Sequence, residues 1–355
     1  MILDEKYLKG ALSPMKLRSH KGNLRSLQTR PRLLLLLLFL SFFCSSLQAE
    51  DIPKGAEVPD DPAYEECILR LGLSGRDMLT LGEIRRRCRR VVQASDQVDK
   101  RFRREEFIEQ EEFVITPHKP NYILLGAYNF GDVNTTPFPQ EEAEGFKQAE
   151  VKFQLSFKIP VLTGLFSGTT DLYAAYTNRS FWQLYAWDFS APFRESNHEP
   201  EAWFRVKTRT SILGLRLDSI NLGGVHQSNG RGGEQSRSWN RLYAQVIFSR
   251  GNFGFAVKPW LLVGDLSDNP DISDYMGHFE FQSAYKAGRH TIALMLRNNL
   301  DFSDNHGALQ LEWSFPLFGH FRGYTQWFYG YGESLIDYDA KVNSLGLGVQ
   351  LTDWF

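Results

Sequence analysis

Residues 341–355, with the sequence KVNSLGLGVQLTDWF, alternate between apolar side chains and small or polar ones. One parity holds Leu345, Leu347, Val349, Leu351 and Phe355, and the other holds Gly346, Gly348, Gln350, Thr352 and Trp354. Because successive side chains of a β-strand point to opposite faces, the stretch predicts a strand with one apolar and one polar face. Strands of transmembrane β-barrels have this pattern, since one face meets lipid and the other faces a polar lumen.

Short segments of the same kind recur upstream, throughout residues 116–355. Twelve candidate strands begin near Asn121, Lys147, Asp171, Glu201, Gly214, Arg237, Gly254, Asp274, Thr291, His306, His320 and Val342. An even number suits closure of an antiparallel barrel. The connection at 318–320 is short, whereas 194–201 and 229–237 are longer, as expected for tight periplasmic turns and longer outer loops. We therefore expect an all-β fold, a twelve-stranded antiparallel transmembrane β-barrel.

The composition supports this fold class and does not point to nucleic acid as a partner. The chain has 27 Phe, 14 Tyr, 8 Trp and 29 Gly among 355 residues. Aromatic residues near strand ends are typical of the girdles that mark the two membrane interfaces. The net charge of -2 gives no indication of nucleic-acid binding.

The N-terminal segment, residues 1–49, has the features of a secretory signal peptide. Residues 16–32 hold six lysines and arginines without an acidic residue, and Leu33–Phe43 is apolar apart from Ser41. This apolar run is shorter than the roughly 20 residues that span a bilayer, which disfavours the alternative of an anchoring helix. We expect the mature chain to begin near Glu50 and to lose Cys44; translation that starts at Met15 is an alternative.

Residues 50–115 are predicted to form a small helical region outside the barrel. An acidic, Pro-rich linker precedes a first helix with Tyr64, Cys67, Ile68 and Leu71 at helical spacing. A capping box over 80–83 opens a second helix, which places Ile84, Cys88 and Val91 on one side. Since an exported chain meets oxidising conditions, we predict a Cys67–Cys88 disulfide and a periplasmic helical hairpin. The basic stretch 85–90 could touch lipid phosphates, although a solvated helix face is the more common explanation.

The residues that suggest chemistry lie in the fifth and sixth candidate strands. His226 and Ser228 are two apart, so they share a face if the chain is extended, and Asn240 follows on the next strand. A serine hydroxyl becomes a nucleophile when a base takes its proton, and the base needs a third group to orient it. A neutral asparagine would do this without leaving an unpaired charge near hydrocarbon. The alternative is that these are ordinary polar groups at a strand end.

The direction of this pair depends on the register of its strand. Leu222 has the parity of His226, which predicts that the pair faces lipid. Upstream, Leu213, Leu215 and Leu217 have the opposite parity. Either a β-bulge resets the register or the strand begins later than drawn.

Seven ordered blocks of the chain resemble the outer membrane phospholipase A family. They are NYIL from Asn121, PFRESNHEP from Pro192, HQSNGR from His226, SRSWNRLY from Ser236, VKPW from Val257, DNPDISDYMG from Asp268 and YGESLIDY from Tyr331. The resemblance covers residues 117–355. It implies a twelve-stranded barrel with an exterior triad in which Ser228 is the nucleophile, His226 the base and Asn240 the orienting group.

The same resemblance implies calcium as cofactor and a homodimer as the active form. The carbonyl of Arg231 and the hydroxyl of Ser236 would coordinate Ca²⁺, and Ser190 of the partner subunit would complete the site; such oxygen ligands suit this cation. The implied reaction is hydrolysis of phospholipid and lysophospholipid acyl esters at both glycerol positions, in the bacterial outer membrane. A water on the calcium and the backbone N–H of Ser228 would stabilise the oxyanion. A porin or structural barrel without chemistry is the alternative.

The chain departs from the family pattern at two places. Gly233, next to Glu234, replaces a loop aspartate, so a second calcium site with Asp268 as carboxylate ligand stays open. His198 replaces a tyrosine at a position expected to touch substrate. The helical hairpin lies outside the resemblance, and its role is not indicated.

Overall fold

The computed structural model describes residues 62–73, 80–93, 96–109, 114–319 and 321–354. The predicted signal peptide, with Cys44, and the terminal Phe355 lie outside the described residues. Among the described residues, no helix combines the length and the apolar character that a membrane span needs.

The described chain contains three helices followed by a long run of antiparallel strands. The helices are α1 (Pro62–Leu73), α2 (Leu81–Gln93) and α3 (Gln97–Ile108). The strands are β1 (Thr116–Pro117), β2 (Asn121–Asn129), β3 (Ala149–Gly164), β4 (Thr170–Trp182), β5 (Phe193–Ile212), β6 (Leu215–Ser228), β7 (Ser238–Arg250), β8 (Phe253–Val263), β9 (Phe279–Ala287), β10 (His290–Asn298), β11 (Gly307–Pro316), β12 (Arg322–Tyr331) and β13 (Lys341–Thr352). Short helical turns at Gln140–Ala143, Leu165–Gly168 and Ile272–Met276 lie between strands.

Strands β2 to β13 form one closed antiparallel barrel. Each pairs with its neighbours in sequence, and β13 pairs with β2 to close the ring. The two-residue β1 adds to β3. The predicted twelve-stranded antiparallel β-barrel is thus confirmed.

Two of the predicted strand boundaries are wrong. Strand β5 begins at Phe193, eight residues before the predicted Glu201, so residues 194–201 are strand and not loop. These residues are polar because their inward side chains, such as Arg194 and Glu195, are buried in a charged lumen. Strand β9 begins at Phe279, after the short helix Ile272–Met276 that occupies the predicted start at Asp274.

The barrel wall has an apolar outer face and a polar inner face, as the sequence of the last strand predicts. On β13, Leu347 and Leu351 are about 60% exposed to the outside, whereas Gln350 is 2% exposed and faces the lumen. The lumen is filled by paired polar groups: Lys152 Nζ lies 2.8 Å from Glu333 Oε1 and donates to Gln326 Oε1 at 2.6 Å. A buried charge is tolerated when it is paired in this way.

A β-bulge in β6 accounts for its broken alternation. Three consecutive side chains, Leu217, Asp218 and Ser219, are buried, and the pairing of β6 with β7 shifts between Leu217 and Ser219. One extra residue in a strand reverses the parity beyond it. Of the two alternatives left open by the sequence, the bulge is therefore correct, and His226 faces outward.

Helices α1 and α2 form the predicted disulfide-linked hairpin. Cys67 and Cys88 are bonded, with Cα atoms 5.6 Å apart, and pack with Tyr64 and Ile84. The capping box is present, since Thr80 N–H donates to Glu83 Oε2 at 2.9 Å. The predicted disulfide and the predicted capping box are both confirmed.

Helix α3 docks at the barrel end that holds the chain's short turns. The Gln97 N–H donates to the carbonyl of Gly251, in the turn between β7 and β8, at 2.9 Å. Arg101 donates to the carbonyl of Trp354 at 2.8 Å. Glu105 is buried and lies 2.6 Å from Lys158 Nζ on β3. Residues 97–108, between the hairpin and the barrel, are therefore a helix that is held by polar contacts at the end opposite to the 229–237 loop.

Candidate active site

The site begins with a hydrogen bond between two neighbouring strands. His226 on β6 is directly opposite Asn240 on β7, and His226 Nδ1 lies 2.8 Å from Asn240 Oδ1. An amide oxygen only accepts hydrogen bonds, so Nδ1 is the protonated nitrogen that donates. In the neutral ring, Nε2 then keeps its lone pair and is able to accept a proton.

Ser228 lies two residues beyond His226 at the end of β6. The intervening Gln227 points inward, where its Oε1 accepts from Trp239 Nε1 at 2.8 Å, so His226 and Ser228 share the outer face. Among the described residues, Ser228 Oγ makes no hydrogen bond to the imidazole. Such contacts often tighten only when substrate is bound.

The wall around His226 is apolar and faces outward. Leu222 precedes His226 on the same face, and Leu242 pairs with Leu261 on the next two strands; all three side chains are exposed. An exposed apolar surface around a barrel is the surface that meets acyl chains. The His–Asn pair is thus placed where lipid would approach it from the side.

A polar loop, residues 229–237, follows the pair and is held together by Asn229. Asn229 Oδ1 accepts from the backbone N–H of Arg237 at 3.0 Å, and its Nδ2 donates to the carbonyl of Gln235 at 2.8 Å. The Arg231 guanidinium turns toward Glu195, 3.4 Å away, and donates to the carbonyl of Arg194 at 2.7 Å. The loop therefore has a defined shape that depends on buried polar contacts.

The predicted metal ligands lie in three segments. Ser236, in the 229–237 loop, donates through Oγ to Asp268 Oδ2 at 2.7 Å, which brings these two residues together. Arg231 belongs to the same loop, while Ser190 is exposed in the connection between β4 and β5, with φ of 59°.

The donor set fits a hard cation but is poor in carboxylates. A hydroxyl, a backbone carbonyl and the Asp268 carboxylate are oxygen donors of the kind that calcium takes. Among the described residues, no group of three or more His, Cys, Asp or Glu side chains could hold a metal. Calcium binds six to eight oxygens. A site built on Arg231, Ser236 and Asp268 would therefore need oxygens from water or from a second chain.

His198 lies next to the proposed nucleophile, and Tyr176 is hydrogen-bonded to His198. His198 on β5 is directly opposite Ser228, and its Nδ1 shares a hydrogen bond of 2.6 Å with Tyr176 Oη on β4. The sequence indicated His198 through the family pattern. It did not indicate Tyr176, because only the pairing of three strands brings that residue to the site.

Comparisons with known proteins show which proteins share this site-bearing region. The profile of the family described as Phospholipase A1 matches residues 98–351. A phospholipase A1 of Klebsiella pneumoniae is 40% identical over 245 residues, which are 68% of this chain and 84% of that protein.

Solved structures agree with these sequence relatives. Outer membrane phospholipase A from Escherichia coli, in an active-site mutant with asparagine replaced by alanine, aligns with a TM-score of 0.66 and 37% identity. The alignment covers 70% of this chain and 96% of that one. A calcium-bound dimer of the Salmonella typhi outer membrane phospholipase gives a TM-score of 0.67 and 36% identity, over 71% and 97% of the two chains.

Proposed function

The chain belongs to the phospholipase A1 family, and from this premise we propose that it hydrolyses phospholipid acyl esters in the bacterial outer membrane with a Ser228–His226–Asn240 triad. The hydrogen bond of 2.8 Å between His226 and Asn240 carries the proposal. It prepares an imidazole on the lipid-facing wall for use as a base, two residues from a serine. We extend the proposal to lysophospholipids and to both glycerol positions.

In the proposed mechanism, the outer face of β6 supplies both nucleophile and base. His226 Nε2 takes the proton from Ser228 Oγ as that oxygen bonds to the ester carbonyl carbon. The carbonyl is restored when the bond to the glycerol oxygen breaks, and His226 returns the proton to that oxygen. Water, activated by the same nitrogen, then releases the fatty acid from Ser228. Asn240 keeps the ring in the required tautomer throughout.

We further propose that the chain uses calcium. The carbonyl of Arg231 and the hydroxyl of Ser236 would hold the ion, with Ser190 of the partner subunit completing the site. When bound, calcium supplies positive charge where negative charge develops on the ester oxygen. Asp268, hydrogen-bonded to Ser236, contributes a nearby carboxylate. The calcium-bound dimer of the Salmonella relative supports this proposal.

A single assay tests the nucleophile and the calcium together. Fatty-acid release from phospholipid is measured in detergent with wild type, Ser228→Ala and a control, Ser211→Ala, at the exposed far end of β5. We expect Ser228→Ala to lose activity by about a thousandfold or more. EDTA should abolish wild-type release, and added calcium should restore it.

Three outcomes would contradict the proposal. Equal activity of Ser228→Ala and wild type would exclude the nucleophile, and undiminished release in EDTA would exclude the calcium. The third outcome is that none of the three proteins releases fatty acid while all three conduct solutes equally well. That result would favour the second candidate, a barrel without chemistry.

A further inference from the structure

Helix α2 carries an unusual density of positive charge. Its sequence LGEIRRRCRRVVQ has five arginines and one glutamate. Arg85, Arg86 and Arg87 are exposed, whereas Ile84 and Cys88 are buried against α1. With 100° per residue, Arg86 lies opposite that buried pair. We call these three arginines the basic face.

The basic face is not neutralised within the described part of the protein. None of its three arginines forms an ion pair with another described residue. Glu83, the acid of the helix, forms hydrogen bonds with Thr80. Those hydrogen bonds, and after them the charges of Arg86 and Arg87, lower the pKa of Glu83. The three exposed arginines are therefore free to contact an anionic surface.

The hairpin that carries the basic face also exposes two leucines. Leu81 is 56% exposed and lies one turn before Arg85, and Leu69 on α1 is 62% exposed. Helices that lie in a membrane interface combine arginines for the lipid phosphates with leucines that enter the boundary of the acyl region. The hairpin presents both kinds of side chain.

The structure also keeps the hairpin close to one end of the barrel. The Cys67–Cys88 bond makes the two helices one unit, and α1 contacts α3. Helix α3 is held at the barrel's short-turn end by the Glu105–Lys158 pair. Short turns lie on the periplasmic side in barrels of this kind. A tethered group meets a nearby surface at high effective concentration.

We propose that the basic face binds the anionic phospholipid headgroups of the periplasmic leaflet of the outer membrane. The proposal uses the membrane placement of the barrel given under Proposed function, and it does not depend on the triad. Charge complementarity selects the ligand: each arginine near an anionic bilayer strengthens binding by about fivefold at moderate salt. The hairpin thereby acts as a second, non-catalytic contact with lipid on the leaflet opposite to the candidate active site.

The test uses the whole protein in vesicles with a reporter on the hairpin. Leu81→Cys is labelled with a thiol-reactive fluorophore whose emission shifts to the blue in lipid. Cys67 and Cys88 do not take the label, because they are already bonded to each other. The protein is placed in vesicles of phosphatidylcholine alone or of equal parts phosphatidylcholine and phosphatidylglycerol. We expect the blue shift only with phosphatidylglycerol, and we expect high salt to reverse it.

Matched variants separate charge from fold. In Arg85→Gln/Arg86→Gln/Arg87→Gln the ratio of lipid-bound to free hairpin should fall by about fivefold for each arginine removed, whereas the matching triple Lys variant should keep it. Non-reducing gels verify the disulfide, and fatty-acid release verifies the barrel; both should match wild type. The same blue shift in pure phosphatidylcholine, or in the triple Gln variant, would overturn the proposal. Absence of fatty-acid release by the wild type, together with the expected blue shift, would instead contradict the proposed function alone.

Discussion

At the scale of single residues, the His226–Asn240 hydrogen bond decides which ring nitrogen is left as a base. In the proposed triad, asparagine performs this role as a neutral group, which suits a wall that faces lipid, because an unpaired carboxylate there would be costly. The neighbouring Leu222 and Leu242 are exposed on the same surface. The chemistry of the pair is thus matched to its apolar surroundings.

Replacement of Asn240 by Ala should slow turnover less than replacement of Ser228 or His226. The imidazole would lose its orienting acceptor but remain beside the serine, so we expect kcat to fall by about 10- to 1000-fold with little change in KM. Steady-state fatty-acid release by the three single variants shows which replacement lowers kcat most. If Asn240→Ala were as active as wild type, Asn240 would not be the orienting group.

At the scale of secondary structure elements, helix α3 is held to the barrel by a buried cluster of charges. Glu105 lies 2.6 Å from Lys158 and 3.5 Å from Arg205. Burial alone would raise the pKa of Glu105. The nearby charges of Lys158, Arg101 and Arg205 outweigh it and hold that pKa below the usual range.

Glu105→Gln should release α3 from the barrel end. Lys158 and Arg205 would be left buried without their counter-charge, at a cost of about 3 kcal/mol or more. Trypsin cleavage within residues 97–109, compared between wild type and variant, measures the release; Glu141→Gln, an exposed carboxylate elsewhere, is the control. Equal cleavage of Glu105→Gln and wild type would show that the charges do not hold the helix.

The same pair makes docking of α3 depend on pH in a defined direction. Because the folded-state pKa of Glu105 is lowered, its contribution is complete above the usual carboxyl pKa and is lost as the pH falls through the lowered value. Wild type should therefore keep α3 protected at neutral and mildly acidic pH and release it only in strong acid. Hydrogen exchange of residues 97–108, followed across that range, measures this. Release at mildly acidic pH would contradict the assigned charge pairing.

The disulfide hairpin is a separate element, and its loss should be local. The Cys67–Cys88 bond closes a loop of 21 residues, for which the chain-entropy estimate is about 3 kcal/mol. Cys67→Ala/Cys88→Ala should unfold α1 and α2, seen as rapid proteolysis of residues 62–93, while fatty-acid release stays at the wild-type level. A parallel loss of release would mean that the hairpin supports the barrel.

At the scale of the whole molecule, the proposed calcium ligands would come from two chains. Arg231 and Ser236 belong to one loop, and Ser190 is exposed in another connection. We propose that two barrels meet side by side, so that each completes the calcium site of the other.

Mixed dimers test this arrangement without a structure of the complex. Ser228→Ala lacks the nucleophile and Ser190→Ala lacks the donated ligand, but a dimer of one of each contains one complete site. With random pairing, half of the dimers are mixed, so the mixture should recover about a quarter of wild-type activity. Fatty-acid release is measured after the unfolded chains are mixed and refolded together. A mixture that is no more active than the average of its two components would exclude a shared site.

The amino-acid sequence by itself determined the class of fold and two local features. Alternation with period 2 indicated lipid-facing strands, and helical spacing with a capping box indicated the disulfide hairpin, because these signals arise between residues close in the chain. It also supplied His226, Ser228 and Asn240 as candidates, through strand parity and family resemblance.

Only the tertiary structure decided the start of β5, the outward direction of His226 and the docking of α3. A polar strand that faces a charged lumen has the same local pattern as a loop. The sequence of residues 194–201 therefore could not show whether they form a strand or a loop. A bulge changes parity through pairing with neighbouring strands, and Glu105 meets Lys158 across 53 residues of chain. These features depend on contacts between distant segments, which local patterns do not encode.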